Sequence, residues 1–299
     1  MISGSFDEHA AVVALLRAQP DGLSWPEIAA ELLETGSAAE VWDRHAPAPA
    51  LISLPDEITP DSVAEDLRSW QARGYRLLSI LDDDYPSRLR GVHQAPPVIF
   101  TRGLVIADDP AVSVVGSREA SAGGAAMAAD VARALTARHM TVIAGLARGI
   151  DSTAHRAALD AGGRTVAVIG TGIGRVYPAE NRGLQEEIAD RGLVLSQFWP
   201  DAPPQKHTFL MRNATMSGYG LATVVIEAGE TSGARAQARM AVEHGRQVIL
   251  ADQVVARNEW ARQLVGRPGV HTAGGVDDVM RIVEQVVAMW DDLGRLVTP

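Results

Sequence analysis

Three short runs of this 299-residue chain join glycine to arginine in a way that suits phosphate. They are Gly116-Ser117-Arg118, Gly145-Leu146-Ala147-Arg148-Gly149, and Gly170-Thr171-Gly172-Ile173-Gly174-Arg175, the last followed by Glu180-Asn181. Glycine lets backbone amides approach an anion, a hydroxyl donates one bond, and a guanidinium grips two phosphate oxygens at once. A fourth run, Lys206-His207-Thr208-Phe209-Leu210-Met211-Arg212-Asn213, contains the only lysine and interleaves a ring with cations. Single-stranded nucleic acid needs that mixture, since cations track phosphates and stacking contributes about 1–3 kcal/mol per base. A fifth, Thr231-Ser232-Gly233, opens a helical run and offers hydroxyls and free helix N–H groups to an anion. The first run also has a plain structural reading, a tight strand–helix turn with a solvated arginine, and the third reads equally as a flexible turn. Neither a GxGxxG fingerprint nor a Gly-x-x-x-x-Gly-Lys-Ser/Thr loop occurs.

Other residues near these runs read more simply. Asp151 stands where a helix N-cap is expected. His155, four residues on, shares its helix face and reads as structural, because no nucleophile is paired with it. Glu227 could bind a ribose hydroxyl, act as a base, or accept cap-like hydrogen bonds. Phe198 and Trp199 read as core; Phe209, between Lys206 and Arg212, is the better stacking residue.

All five runs follow short apolar stretches that predict strands at 111–115, 141–144, 165–169, 193–197, 222–226, 247–251 and 269–273, after an earlier strand within 75–86. Helical patterns fall between them at 121–138, 152–161, 181–190, 209–218, 234–244, 257–266 and 275–290. Nearly continuous apolar strands separated by helices indicate a parallel sheet covered on both faces. The expected fold is α/β: an extended Rossmann-like, doubly wound, mainly parallel sheet, which binds ligands at the carboxyl ends of its strands. Residues 8–45 and 60–73 read helical, with Ser24 and Glu27 framing a helix start at Pro26, and a Pro-rich connection over 45–57. The expected division is an acidic helical lobe over 1–74, the Rossmann-like unit over 75–290 and a tail over 291–299.

Composition narrows the function classes. The chain is 46% apolar and 21% charged, as an ordinary folded protein is. Its net charge of −10 divides as −9 over residues 1–100 (7 Arg, 16 Asp+Glu) and −1 over 101–299 (19 Arg, 1 Lys, 21 Asp+Glu). Overall acidity argues against a non-specific nucleic-acid coat. A local phosphate site is compatible with it, since screening limits distant charges to about 8 Å. The absence of cysteine excludes disulfides and thiolate chemistry. No H-E-x-x-H or G-x-S-x-G motif occurs. No apolar run reaches the length of a membrane helix, and the start MISGSFDEHAAVV lacks signal-peptide features, so a cytoplasmic protein without membrane contact is expected.

Taken in order, VVGSR (114–118), AGLARGIDSTAH (144–155), GGRTVAVIGTGIGRVYPAEN (162–181), the LS-Q-F set (195–198), the F-x-x-RN set (209–213), VIEAGETSG (225–233) and EHGRQV (243–248) resemble the DprA/Smf family of DNA-processing proteins. LDDDYPSRLR and PPVIFTRG, within 81–103, look like that family's entry into its Rossmann core. The resemblance implies single-stranded DNA binding in transformation and recombination, a homodimer, RecA as a partner, no cofactor and no catalysis; it implies a SAM-like character for the lobe. By motif it carries DNA contact to Ser117, Arg118, Gly145, Arg148, Gly172, Arg175, Lys206, Phe209, Arg212 and Asn213. The chain departs from the family pattern at Gln197, at Ala214 and at Ala234-Arg235-Ala236-Gln237, which introduces a new cation. ADQVVARNEWAR (251–262) stands where Pro-Gly is usual, and the C-terminal winged helix of many members is not expected here. The alternative is a nucleotide binder or phosphoribohydrolase resembling Lonely Guy enzymes, in which Glu227 would have to serve as the base.

Overall fold

The computed structural model of the protein describes residues 2–45 and 58–297. Most of the predicted Pro-rich connection lies outside the described residues.

Four helices come first: α1 (Ile2–Ala18), α2 (Trp25–Thr35), α3 (Ala38–His45) and α4 (Pro60–Ala72). The Glu27 carboxylate accepts from both the N–H and the hydroxyl of Ser24, so the predicted start of α2 is held as its sequence indicates. Then follow β1 (Arg76–Ser79), α5 (Ser87–Arg90), β2 (Val98–Gly103), β3 (Ala111–Gly116), α6 (Ala122–Thr136), β4 (Thr141–Ala144), α7 (Ile150–Asp160) and β5 (Thr165–Val168). The chain continues through α8 (Arg182–Arg191), β6 (Leu193–Ser196), α9 (Lys206–Tyr219), β7 (Ala222–Glu227), α10 (Gly233–Glu243) and β8 (Gln247–Ala251). It closes with α11 (Asp252–Arg257), α12 (Glu259–Leu264), β9 (Val270–Ala273) and α13 (Val276–Val297).

The nine strands form one sheet in the order β1-β2-β6-β5-β4-β3-β7-β8-β9. From β6 to β9 every neighbouring pair is parallel; β1 and β2 add an antiparallel edge. This is the expected doubly wound α/β sheet. Alternation along β3 divides its two faces: Val112 and Val114 pack in the cluster holding Val131 of α6, Ala154 of α7 and Val283 of α13. Val115 joins the other cluster, with Met216 of α9 and Ala238 of α10. No helix among the described residues is long and apolar enough to cross a membrane.

Several boundaries differ from the periodicity reading. β2 escapes it because Val-Ile-Phe is a short apolar run bounded by Pro96-Pro97, with no following helix to mark a βα unit. The helix expected over 257–266 is α12, shorter at both ends, and an unexpected α11 precedes it; the two are parted where Asn258 is extended and its amide donates 2.9 Å bonds to the Ala228 and Val254 carbonyls. Helix α13 runs to Val297, so most of the expected tail over 291–299 is helical.

Aromatic rings join the N-terminal helices to the sheet. Trp70 of α4 meets Phe100 of β2 edge-on at 5.0 Å and stacks on Trp199 at 5.9 Å; Trp25 meets Trp199 at 5.5 Å. Phe198 and Trp199 are therefore core, as read from the sequence. At the opposite end of the sheet, buried Asp109 accepts from Arg164 Nε at 3.0 Å, from the Tyr219 hydroxyl at 2.8 Å and from the Thr141 hydroxyl. Burial holds the Tyr219 phenol well above its ordinary pKa, keeping it a donor. Tyr219→Phe is expected to destabilise the protein by about 1.5–3 kcal/mol, because it removes a buried bond to a charged acceptor. Urea unfolding reads this as a lower midpoint at unchanged slope; an unaltered midpoint would show that the bond contributes nothing.

Candidate nucleic-acid interface

Strands β3 and β7 lie side by side, and the chain leaves them toward opposite faces of the sheet, into α6 and α10. Such a switch in direction opens a crevice at the carboxyl ends of the strands. Here it is a cleft of about 480 Å³, bounded by the turn after β3, by α9 and by the start of α10. A smaller recess of about 40 Å³ adjoins it; both share Arg118, Ala147, Phe209 and Arg212.

The first two glycine–arginine runs meet here. Gly149, at φ 74°, lies so close to the main chain of 117–118 that a Cβ would stand 2.3 Å from the Ser117 carbonyl oxygen. The Ile150 N–H donates to that carbonyl at 3.1 Å. Gly116 and Ser117 line the cleft, although the Ser117 hydroxyl is used within its turn, donating to the Glu119 carbonyl at 3.0 Å. Arg118 lines both cavities, and its guanidinium carbon lies 5.8 Å from the Phe209 ring centre. Arg148 lines the recess and is exposed, paired with Glu180 at 3.2 Å.

Arg212 forms the floor. It is 7% exposed, and Gly145 makes room for it: a Cβ there would fall 1.8 Å from a guanidinium nitrogen. Its Nη1 donates to the Val168 carbonyl at 2.6 Å and its Nε to Asn213 Oδ1 at 3.3 Å. Burial lowers the Arg212 pKa; Asp151 opposes that and Arg118 adds to it. Asp151 is not an N-cap, since Gly149 holds that position; it reaches back to accept from the Gly145 N–H at 2.9 Å and the Ala147 N–H at 3.5 Å. It braces the loop and supplies a counter-charge to Arg212.

Phe209 rests on Gly170, where a Cβ would come within 2.5 Å of the ring, and Tyr177 lies beside it at 5.4 Å. Arg118, Phe209 and Tyr177 thus make a row of cation and rings. Tyr177, 43% exposed, was not singled out from the sequence; its nearness to Arg175 in one loop was the only signal. Asn213 borders the cleft, and Thr231, Ser232 and Gly233 form the wall opposite. The Ser232 hydroxyl caps α10, accepting from the Ala234 N–H at 3.0 Å.

The third glycine–arginine run is corrected. Its amides do not wrap an anion: the Gly172 N–H donates to the Ala202 carbonyl at 2.9 Å and the Gly174 N–H to the Pro200 carbonyl at 2.8 Å. Thr171 is buried and its carbonyl accepts from Ser196. Gly170 and Gly172 are small for packing, against Phe209 and against the Trp199 and Pro200 carbonyls. Arg175 turns away, donating to the Asp201 carbonyl at 3.1 Å, and lines neither cavity. Asn181 is buried, holding the Leu146 carbonyl at 2.9 Å. Lys206, the exposed first residue of α9, also lies outside both cavities.

Two residues with rival roles are structural. His155 is buried against the Thr165 hydroxyl at 2.6 Å rather than against Asp151, and burial pushes its pKa down to about 3. Glu227 caps α6 from the neighbouring strand, accepting from the Ser121 N–H at 3.1 Å and the Ser121 hydroxyl at 2.7 Å.

Residues 76–281 match the family described as DNA recombination-mediator protein A. The DNA processing protein DprA of Streptococcus pneumoniae is 42% identical over 172 residues, covering 57% of this chain and 61% of its own. A putative DNA processing protein DprA of Mycobacterium tuberculosis is 35% identical over 250 residues, covering 79% of this chain and 64% of its own. The chain therefore spans a little over three fifths of these curated relatives. The X-ray structure of the Streptococcus pneumoniae protein superposes with a TM-score of 0.65 at 30% identity, covering 92% of each chain. The Helicobacter pylori DNA processing protein A, whose structure concerns a single-stranded DNA binding mode, superposes at 0.61 and 20% identity, over 72% of this chain and 96% of that one; it shares the fold.

Proposed function

The chain belongs to the DprA/Smf family, described as DNA recombination-mediator protein A, and from that premise we propose that it binds single-stranded DNA in DNA processing. The strand lies in the cleft at the β3/β7 crevice. Arg118 and Arg148 contact phosphates, Arg212 contributes a buried positive charge beneath them, and Phe209 with Tyr177 receives a base. One observation carries the reading: Arg118, Arg148, Arg212, Phe209 and Tyr177 border a single recess, although they come from four separate strand ends and helices. Two of the nearby carboxylates are engaged, Asp151 with the Gly145 and Ala147 amides and Glu180 with Arg148; exposed Glu119 also borders the cleft, beside Arg118.

The test is fluorescence anisotropy of labelled oligo-dT against salt. Each phosphate contact contributes about 0.7 to the slope of log affinity on log salt for a single strand. Arg118→Ala is expected to lower that slope by about 0.7 and to weaken all sequences alike. An affinity independent of salt would overturn the reading.

The further family properties are proposals of the same kind. We propose a homodimer, transfer of the bound strand to RecA, a cytoplasmic setting, and an acidic helical unit over 1–74 attached to the DNA-binding unit over 75–290. Sedimentation of the full chain, with and without RecA and oligonucleotide, tests the first two. The protein acts by binding and not by catalysis: Glu227, the base that a phosphoribohydrolase would need, is tied to Ser121. Release of free base from nucleoside monophosphates would reverse that statement.

A further inference from the structure

Helix α10 opens with charges that its own stability does not explain. Arg235 is its third residue and Arg239 follows one turn later. A helix N-terminus carries partial positive charge, so a cation in the first turn is unfavourable there, and like charges four residues apart repel. Both arginines border one groove of about 240 Å³, which they share with Gln263 and with Arg267, in the turn after α12; Trp260 forms its buried wall. Neutralisation is partial. Arg239 lies 3.7 Å from Glu243, Arg235 donates to the Glu230 main-chain carbonyl at 3.1 Å, and Arg267 has no ion pair among the described residues. Of the other nearby carboxylates, Glu259 is held by Arg262 at 2.8 Å and Glu230 accepts the Glu259 N–H.

A single turn connects this groove to the cleft. Thr231, Ser232 and Gly233 line the cleft, and Arg235 stands two residues beyond. The other end of the turn is fastened to the α12 side of the groove: Asn258 Nδ2 donates to the Ala228 carbonyl at 2.9 Å and Trp260 Nε1 to the Gly229 carbonyl at 3.3 Å. From Gly233 to Arg239 is about 9 Å along the helix axis. Helix α10 thus borders the cleft with its N-terminus and the groove with Arg235 and Arg239.

We propose that the Arg235–Arg239–Arg267 groove is a second phosphate subsite, over which a single strand continues after crossing the N-terminus of α10. The inference rests on the reading of the cleft as the strand-binding site. A phosphate there meets three guanidinium groups and the positive end of a helix, which turns an unfavourable placement of charge into a contact.

The test uses the full chain carrying Arg235→Ala, Arg239→Ala and Arg267→Ala together, with a short oligo-dT of about 6 nucleotides and a long one of about 20. The long strand is expected to lose about tenfold or more in affinity, with a salt slope lower by about 2, three contacts at about 0.7 each. The short strand is expected to keep its affinity within about twofold, and the thermal midpoint is expected to change little, since relieved repulsion offsets the loss of the exposed Arg239–Glu243 pair and the Arg235 bond to the Glu230 carbonyl. Equal loss of short and long strands, or undiminished binding of the long one, would overturn the subsite. Undiminished binding with an altered mass in sedimentation would assign the groove to a second copy of the chain instead. Failure of the unaltered protein to bind either strand would remove the cleft reading itself, and the subsite with it.

Discussion

Phe209→Ala is expected to weaken oligo-dT binding by about 5- to 150-fold at constant salt, the range that follows from a stacking contribution of about 1–3 kcal/mol. The slope of log affinity on log salt is expected to stay unchanged, because no charge is removed. That combination separates Phe209 from Arg118, whose loss flattens the slope. The ring is held between Gly170 beneath, Arg118 at 5.8 Å and Tyr177 at 5.4 Å, so it is set in place before a base arrives. Phe209→Leu fills much of the same volume without a π face; it is expected to restore the thermal midpoint but not the affinity. Full affinity in either variant would mean that the bases do not stack there.

Asp151→Ala is expected to destabilise the protein by about 3–5 kcal/mol, the cost of breaking a buried charge arrangement from one side. The carboxylate is the acceptor for the Gly145 and Ala147 amides and the counter-charge nearest to buried Arg212. Removing it strands all three and loosens the loop that presents Arg148. Urea unfolding measures the loss, and a shift below about 1 kcal/mol would show that the loop is held by other means. A pH series adds a second readout. Burial raises the Asp151 pKa above its ordinary 3.8, against the pull of Arg212 and the two amides. The folded protein therefore holds this proton more tightly than the unfolded chain, and Asp151 contributes less stability as pH rises from 3.8 through its folded pKa. Asp151→Asn is expected to abolish that portion of the pH dependence.

The two substitutions probe different kinds of legibility. Phe209 could be chosen from sequence because a ring between two cations is a pattern of residue types. Asp151 could be placed at a helix start, but its service to the preceding loop could not be read, since an acid at that position caps a helix in most chains. The strands of the parallel core were legible because burial on both faces leaves continuous apolar runs between helices. β2 was not, lying in an antiparallel edge where neither alternation nor a following helix marks it. The separation of α11 from α12 depended on one asparagine meeting the Ala228 carbonyl 30 residues away in sequence.

By itself the sequence determined the doubly wound sheet and the positions of the glycine–arginine runs at its strand ends. Local periodicity specifies which face each segment buries, and chain order makes every loop after a parallel strand emerge at the same edge. Only the tertiary structure decided which of those loops form one site. Pairing β7 with β3 draws 116–118, 145–149, 209–213 and 231–233 around one crevice, while Arg175 is carried off by the Asp201 carbonyl and the Gly172 and Gly174 amides by the 200–202 segment. Whether a loop amide or guanidinium is free for a ligand depends on the acceptors that other parts of the chain bring within about 3 Å, and no spacing along the sequence encodes that.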